Sequence, residues 1–360
     1  MLLAETDRFS NWLKQRNGVC LVAGPCSVES EEQIVGTAQE LARRGATLLR
    51  GGIWKPRTSP GCFEGVGEKG LSWLKTAGDA AGLPVATEVA TPTHVERCLA
   101  AGIDVLWVGA RTTTSPIAVQ EIAGALAGVD IPVMIKNPMN PELKLWSGAI
   151  ERFLRAGVAR IVAVHRGFST HIHHRYRYRP LWNIPLALRR KMPEIPILCD
   201  PSHISGECRF VPEVADKAME LGFDGLMVEC HWRPDLALSD REQQLSPLQF
   251  TALAEAANHI LRQNASGYNR SSLGRCEEIQ EIDQDIQSLL SRRASLLRQA
   301  GEKTHEISPR DWIAVHTARV LAALLARLGR TTTPGPRATS SGCKHMETSE
   351  EDPAQLVTSS

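Results

Sequence analysis

The chain has 360 residues, of which 42% are hydrophobic, enough for one large domain with a sizeable core and a smaller second one. Lysine and arginine number 41 against 40 aspartate and glutamate, and this net charge of +1 argues against a generic binder of nucleic acid or of a membrane surface. Nine cysteines without CxxC pairs, no visible membrane span and no signal-peptide pattern at the N-terminus predict a cytoplasmic protein with reduced thiols.

In chain order, residues 1–17 predict a short amphipathic helix, and residues 18–262 alternate apolar runs with helical segments. The runs are VCLVAG, ATLLR, PVATE, DVLWVGAR, PVMIK, RIVAVHR, PILCDPSH and GLMVE. The predicted helices are residues 29–44, 66–82, 91–102, 114–128, 147–157, 183–192, 210–222 and 246–262. Continuous apolar runs are typical of parallel strands buried on both faces, and eight repeats predict a closed (β/α)8 barrel.

The pattern changes after residue 262. Residues 263–272 are polar and contain glycine and asparagine, as expected of a linker. Residues 273–330 carry apolar residues at helical spacing and predict a small all-helical C-terminal domain. Residues 331–360 are rich in Thr, Ser, Pro and acids, a composition typical of disorder.

Nearly every apolar run ends in a residue that can bind metal, phosphate or a carbonyl, and barrels of this type build their active sites at these ends. Cys26 follows strand 1, His203 follows strand 7, Glu229 ends strand 8 and Asp240 lies in the next loop. Closure of a barrel brings strands 1, 7 and 8 together, and this mixed donor set suits a divalent Mn, Fe, Co or Zn ion. Alternatively, Cys26 is a packing residue and DPSH is a helix start capped by Ser202.

A second group of strand ends is basic. Its members are Arg50, Lys55, Arg57, Arg111, Lys136 and Arg166. Six cations at one barrel mouth would repel each other without a polyanionic ligand, so the pattern predicts a site for more than one phosphate, to which Thr58 adds a hydrogen bond. Any one of these arginines taken alone could equally be a surface charge.

Several motifs on successive strands carry a family resemblance. They are KPRTSP, GAR at 109–111, IKNP at 135–138, HRGFST at 165–170, CDPSH at 199–203 and the spaced Glu229 and Asp240. Residues 18–250 resemble the 3-deoxy-D-arabino-heptulosonate 7-phosphate (DAHP) synthases of the subclass related to KDO8P synthase. KPRTS in particular resembles the DAHP synthases, because the KDO8P enzymes carry a different loop.

The resemblance implies condensation of phosphoenolpyruvate with erythrose 4-phosphate, the entry step of aromatic amino-acid synthesis. Arg111, Lys136, Arg166 and Lys55 would then hold phosphoenolpyruvate, Arg57 and Thr58 the aldose phosphate, with Arg50 a further cation of the site. The metal would act as a Lewis acid toward the aldehyde oxygen. Lys55, Glu88 or His165 would orient or deprotonate the water of the second step. A phosphoenolpyruvate–sugar synthase with another aldehyde, or a non-catalytic phosphosugar scaffold, are the alternatives.

The segment RCEEIQEIDQDIQSLLSRRASLLRQAGEK resembles the first long helix of the all-helical chorismate mutases, with Arg293 in register. The register departs from that family at Cys276 and Thr304, and the expected second helix has no counterpart. We therefore expect a module that regulates, dimerises or has degenerated at least as readily as a mutase. Prephenate or chorismate are its expected ligands, and we expect the whole protein to form a homo-oligomer.

Overall fold

The computed structural model describes residues 18–55, 61, 63–171 and 174–265, together with 283, 286, 287, 289–293, 295 and 296. The predicted segments 1–17 and 331–360 lie outside the described residues, as do the predicted phosphate ligands Arg57 and Thr58. Within the described residues, no helix combines the length and the apolar character needed to cross a membrane.

Eight parallel strands form one closed barrel in sequence order. They are β1 (Cys20–Gly24), β2 (Leu48–Arg50), β3 (Val85–Val89), β4 (Val105–Val108), β5 (Val133–Lys136), β6 (Ile161–His165), β7 (Ile197–Cys199) and β8 (Gly225–Glu229). The first and last strands close the barrel in the register Gly24 opposite Glu229. The predicted (β/α)8 fold is therefore confirmed, and every strand residue but one is buried, as the continuous apolar runs indicated.

Helices surround the barrel between the strands. They are α1 (Glu31–Ala42), α2 (Lys69–Ala81), α3 (Pro92–Ala100), α4 (Ala110–Thr113), α5 (Pro116–Ala125), α6 (Leu143–Arg155), α7 (Asn183–Lys191), α8 (Pro201–Ser205), α9 (Val211–Glu220) and α10 (Pro247–Ala265). The prediction placed the start of α6 four residues late, and the turn that it missed includes Trp146, whose indole donates to the Ile135 carbonyl. The short α4, directly after β4, was not predicted, whereas α8, directly after β7, corresponds to the helix start that DPSH offered as an alternative.

The side chains of the strands divide into two layers. Leu48, Ala86, Met134 and Val164 belong to an apolar cluster of strand residues inside the barrel. The alternate residues, such as Ala163, pack with the helices in a larger outer cluster. This period of two decides which residues at the strand ends face the mouth of the barrel.

The described residues fall into two units, with the division between Leu289 and Leu290. The predicted linker 263–272 begins inside α10, which continues to Ala265, and the rest of it lies outside the described residues. Of the predicted domain 273–330, only scattered residues up to 296 are described. Arg293 is among them, in a helical conformation and exposed.

Candidate active site

Six polar residues continue the inner layer at the carboxyl ends of the strands. They are Arg50, Glu88, Lys136, Arg166, Asp200 and Glu229, each two residues beyond a member of the inner apolar cluster. Side chains alternate across a strand, so these six belong to the inner face of the barrel at its catalytic end. Five of them are predicted site residues, and Asp200 is an addition.

Barrel closure brings three of the four predicted metal ligands into one cluster. One donor atom each from Cys26, Glu229 and Asp240 lies within 4.8 Å of the others. The Cys26 Sγ lies 3.1 Å from Oδ2 of Asp240. The fourth predicted ligand, His203, places its Nε2 3.8 Å from Oε1 of Glu229. Pairing of β1 with β8 produces this proximity across more than 200 residues of sequence.

Asp200 determines the orientation of His203. It caps α8 by accepting from the His203 backbone N–H at 3.0 Å, so Asp200 rather than Ser202 is the cap. The same carboxylate contacts Nδ1 of the His203 ring at 2.9 Å, which leaves Nε2 directed at Glu229. A carboxylate behind a ligating imidazole fixes its tautomer and increases its basicity. Ser202 instead accepts from the Glu229 N–H at 2.9 Å.

The loop that carries Asp240 is held against the Cys26 segment. Asp240 has a φ of +45°, a left-handed conformation that non-glycine residues adopt rarely and mostly where surrounding contacts enforce it. The Ser27 and Ser239 hydroxyls share a hydrogen bond at 2.5 Å, and Gln244 accepts from the Cys26 N–H at 3.0 Å. These contacts join the two loops that supply the sulfur and one carboxylate.

The donor set fits a divalent transition metal. It combines one sulfur, one imidazole nitrogen and two carboxylates, and Oε1 of Glu229 is a buried atom without a hydrogen-bond partner among the described residues. Burial, with the Glu229 charge, raises the pKa of the Cys26 thiol to about 12. A bound ion would have to displace this proton, because the thiolate is the metal-binding form.

The predicted cations differ in their surroundings. Arg50 is buried, with Nη1 3.3 Å from Oε1 of Glu229 and its guanidinium carbon 4.8 Å from the Trp107 ring centre. Lys55 donates to the Cys26 carbonyl at 3.2 Å. Both cations therefore lie beside the donor cluster, and Arg50 neutralises part of its charge.

Two further cations, Lys136 and Arg166, lie near Asp200. Lys136 donates to Oδ2 of Asp200 at 2.7 Å, and both side chains are buried. The Arg166 guanidinium stacks 3.8 Å from the ring centre of Tyr178. Arg111 is exposed on α4. Asp200 thus touches both the predicted metal ligand His203 and the anion-binding candidate Lys136.

Of the three proposed proton-transfer residues, Glu88 and Lys55 lie at the mouth. Oε2 of Glu88 accepts from the Trp107 indole N–H at 3.1 Å. Gly109 allows this approach, because a Cβ there would lie 2.0 Å from the Glu88 carboxylate.

His165 does not join the site. It shares the strand face of Ile161 and Ala163 and therefore points outward, fully buried among aromatic rings. The surrounding rings are Trp146, Phe168, Trp182 and Phe223, with centroids 5.2 to 6.4 Å away. Burial and the adjacent Arg166 charge lower the pKa of His165 to about 3, against a smaller opposing effect of Asp200 and the Pro180 backbone.

This environment predicts a pH-dependent contribution to stability. The unfolded chain binds a proton at His165 near pH 6.5, whereas the folded protein does so only near pH 3. Stability from this group is therefore complete above about pH 6.5 and falls by about 1.4 kcal/mol per pH unit toward pH 3. Between about pH 6.5 and pH 4.5, His165→Leu should lose about 2 kcal/mol less unfolding free energy than the unsubstituted protein.

Urea unfolding of metal-free protein across this range measures the difference. His259→Leu, on the exposed face of α10, controls for loss of an imidazole elsewhere. Equal slopes for the unsubstituted protein and His165→Leu would contradict the buried neutral imidazole.

Four polar residues of the site were not predicted from the sequence: Asp200, Arg177, Gln243 and Gln244. Asp200 had a signal, since it lies two residues after the inward Leu198 and belongs to the CDPSH motif. Arg177 and the two glutamines lie in loops, where neither strand alternation nor helical spacing indicates a direction.

Comparisons with known proteins agree with this geometry. Residues 14–263 match the DAHP synthetase I family. The chain is 33% identical over 235 residues to the phospho-2-dehydro-3-deoxyheptonate aldolase of Thermotoga maritima, covering 65% of this chain and 68% of that protein. It is 30% identical over 244 residues to the 2-dehydro-3-deoxyphosphooctonate aldolase of Thioalkalivibrio sulfidiphilus, covering 62% of this chain and 82% of that protein.

Among solved structures, the DAHP synthase of Thermotoga maritima superposes with a TM-score of 0.63 at 30% identity, covering 70% of this chain and 72% of that one. A truncated form of the Thermotoga maritima synthase gives a TM-score of 0.59 at 27% identity over 68% and 87% of the two chains. By the extent of its family match and its similarity to these relatives, the chain belongs to the DAHP synthetase I family.

Proposed function

We propose that this protein condenses phosphoenolpyruvate with erythrose 4-phosphate and water to give DAHP and inorganic phosphate. The observation that carries the proposal is the pair of sites joined by Asp200, with metal donors on one side and buried cations on the other. A name ending in heptonate, as in the Thermotoga relative, denotes seven carbons, three from phosphoenolpyruvate and four from the aldose.

Lys136 and Arg166 supply the positive charge for the phosphate and carboxylate of phosphoenolpyruvate, with Arg111 at the edge of the mouth. Their buried surroundings strengthen attraction to a dianion, because water no longer screens it. Lys55, beside Cys26, adds a cation between this site and the metal donors. We assign the aldose phosphate to Arg57 and Thr58, following the KPRTS motif.

A cavity of about 830 Å³ lies beside the donor cluster, and Asp240 is the one proposed metal ligand in its described lining. Its walls include His171, Arg175, Arg177 and Ser205. An anionic substrate would meet predominantly basic and hydroxyl groups there.

In the first step, C3 of phosphoenolpyruvate attacks the aldehyde carbon, forming the new C–C bond while negative charge develops on the aldehyde oxygen. Cys26, His203, Glu229 and Asp240 would hold a divalent Mn, Fe, Co or Zn ion, which supplies a Lewis acid for that oxygen. The cation left at C2 of phosphoenolpyruvate is captured by water. Cleavage of the bond between C2 and the bridging oxygen then releases phosphate.

The proton of the attacking water needs a base at the mouth, and the proposal assigns it to Glu88 or Lys55. Glu88 lies on the inner face of β3, held by the Trp107 indole. The proposal gives His165 no part in this step, because its ring is enclosed on the outer face of β6.

Phosphate release tests the proposed reaction. Metal-free protein reloaded with Mn²⁺ should release phosphate from phosphoenolpyruvate only when erythrose 4-phosphate is also present, and exhaustive chelation should abolish the release. Turnover that survives chelation would contradict the metal role. A non-catalytic scaffold would release no phosphate under any condition.

The second candidate is a synthase that uses a five-carbon aldose phosphate, favoured by the relative whose octonate product has eight carbons. Arabinose 5-phosphate in the same assay separates the two. Faster phosphate release with arabinose 5-phosphate than with erythrose 4-phosphate would transfer the assignment to this candidate.

For residues 273–330 we propose a helical module that regulates or dimerises the enzyme, with prephenate or chorismate as its ligand. This proposal rests on the sequence resemblance alone. Prephenate should change the rate of phosphate release in the full chain, whereas conversion of chorismate to prephenate would assign weak mutase activity instead. Light scattering with and without prephenate tests the expected homo-oligomer.

A further inference from the structure

Two polar side chains beside the donor cluster have so far been given no role toward the metal donors. Arg177 lies in the loop after β6, and Gln243 ends the short 3-10 turn Arg241–Gln243 after β8. Nη1 of Arg177 donates to Oδ1 of Asp240 at 3.1 Å and to Oε1 of Gln243 at 2.9 Å. Nε2 of Gln243 donates to Oε2 of Glu229 at 2.7 Å. Arg177 and Gln243 therefore connect the two carboxylates of the cluster.

This chain of contacts holds one oxygen of each carboxylate, and the other oxygen faces the donor cluster, where Oε1 of Glu229 also pairs with Arg50 at 3.3 Å. Oδ2 of Asp240 lies 3.1 Å from the Cys26 sulfur. Oε1 of Glu229 lies 3.8 Å from Nε2 of His203. Both carboxylates thus present a single oxygen toward the sulfur and the imidazole, the arrangement required for one-oxygen binding to an ion at this point.

The two residues are themselves fixed in place. Gln243 is buried, with 1% of its surface exposed. The Arg177 N–H donates to the Ser205 carbonyl at 3.2 Å. Gly206 follows with a φ of +74°, and a Cβ there would lie 2.5 Å from the Arg177 Cβ. The Arg177 backbone is therefore packed closely against the end of α8, two residues beyond His203.

Arg177 and Gln243 act on the two carboxylates through the direction of their hydrogen bonds more than through charge. The Arg177 side chain is 41% exposed, so solvent screens much of its attraction for Asp240. Its two hydrogen bonds from one nitrogen nevertheless fix where Asp240 and Gln243 lie relative to each other. Gln243 is uncharged and acts on Glu229 through hydrogen-bond geometry alone.

We propose that Arg177 and Gln243 are positioning residues that hold Asp240 and Glu229 with one oxygen each directed toward a bound divalent ion. The proposal rests on the proposed metal role of Cys26 and its partners. Residues that orient metal ligands typically change metal affinity by about 10- to 100-fold.

Titration of metal-free full-length protein with Co²⁺ tests this independently of turnover. The absorption from a thiolate bound to Co²⁺ reports occupancy, and the visible bands report coordination geometry. Arg177→Ala and Gln243→Met should each bind Co²⁺ about 10- to 100-fold more weakly, with altered visible bands. The double variant should lose no more Co²⁺ affinity than the single variant that binds Co²⁺ more weakly, because both residues act through one chain of contacts.

Arg209→Ala is the matched control, since Arg209 is 69% exposed and forms an ion pair with Glu207, outside the donor cluster. It should bind Co²⁺ like the unsubstituted protein. Arg177→Lys keeps the charge and most of the stem but lacks the planar donor group, and it should fall between the unsubstituted protein and Arg177→Ala. Thermal unfolding without metal checks that each variant is folded.

The outcomes separate the two proposals. If the unsubstituted protein shows no thiolate absorption with Co²⁺, the metal role falls and the positioning role with it. If it binds Co²⁺ and both single variants match it in affinity and spectrum, only the positioning role is overturned. Tighter binding by Arg177→Ala would also overturn it, because relief of charge repulsion would then outweigh orientation.

Discussion

Replacing Cys26 with serine should remove the thiolate absorption of the Co²⁺-loaded protein and reduce phosphate release by more than about a hundredfold. The substitution is nearly isosteric, and the serine hydroxyl retains a hydrogen bond to Asp240 in the place of the thiol. The fold should therefore persist while the one soft donor of the site is lost. Metal content after dialysis, Co²⁺ titration and phosphate release measure the three effects.

Cys208→Ser is the matched control, because Cys208 is a free, partly exposed thiol after α8 that lies outside the donor cluster. It should retain metal content and rate. Equal phosphate release by Cys26→Ser and the unsubstituted protein would show that the sulfur is a packing group, the alternative that the sequence left open. Loss of activity with unchanged metal affinity would place Cys26 in a role other than ligation.

The barrel was predictable because its signal is repeated. Each of eight apolar runs is too short to identify alone, but eight runs separated by helical segments leave few architectures open. Closure of β1 on β8 then follows, and with it the approach of Cys26 to Glu229 and Asp240. The start of α6 and the short helix after β4 escaped prediction, because propensity and spacing define element boundaries poorly.

Strand alternation separates the predicted strand-end residues that lie at the barrel mouth from the one that does not. Glu229 and Lys136 lie an even number of residues beyond inward-facing strand residues and reach the mouth. His165 is one residue out of this phase and is enclosed by aromatic rings. The sequence already indicates the outward direction of His165, since its neighbours Val164 and Arg166 have the alternation of inward-facing residues. A histidine in a motif at a strand end nevertheless suggested catalysis more strongly than this alternation suggested packing.

The contacts of Arg50 illustrate what the sequence could not show. A cation at a strand end suggested a phosphate ligand, yet Arg50 lies 3.3 Å from Glu229 and over the Trp107 ring. Arg50 ends β2 and Glu229 ends β8, so the two residues are distant in sequence but separated only by β1 around the closed barrel. Arg177 and Gln243 were hidden for a related reason, because their directions depend on loop conformations such as the left-handed φ of Asp240.

Substitution of Asp200 should have the second large effect on the site, because Asp200 contacts both the metal donors and the buried cations. It accepts from Lys136 at 2.7 Å and contacts Nδ1 of His203 at 2.9 Å, entirely buried. Burial alone would raise the pKa of Asp200, but His203 and Lys136 hold it well below its ordinary value. Asp200 is therefore a carboxylate shared by His203, proposed to bind the metal, and Lys136, proposed to bind the anionic substrate.

Asp200→Asn should weaken Co²⁺ binding by about 10- to 100-fold and lower phosphate release further than that loss of metal affinity explains. The asparagine oxygen still caps α8, so the backbone of the His203 turn should remain. Lys136 loses its buried partner, and burial already lowers the pKa of that lysine while Asp200 opposes the fall. Removing one partner of a buried pair costs about 3 kcal/mol of unfolding free energy.

Asp224→Asn is the matched control at the opposite end of the barrel. Asp224 accepts from the Ile197 N–H at 2.9 Å and lies 3.5 Å from Arg189, joining β7 and β8 where they begin. It should cost about 1 kcal/mol of stability and leave Co²⁺ affinity unchanged, because the amino ends of barrel strands serve the fold. If Asp200→Asn retained full metal affinity and rate at excess metal, Lys136 and His203 would be functionally independent, and the shared carboxylate would be a feature of stability alone.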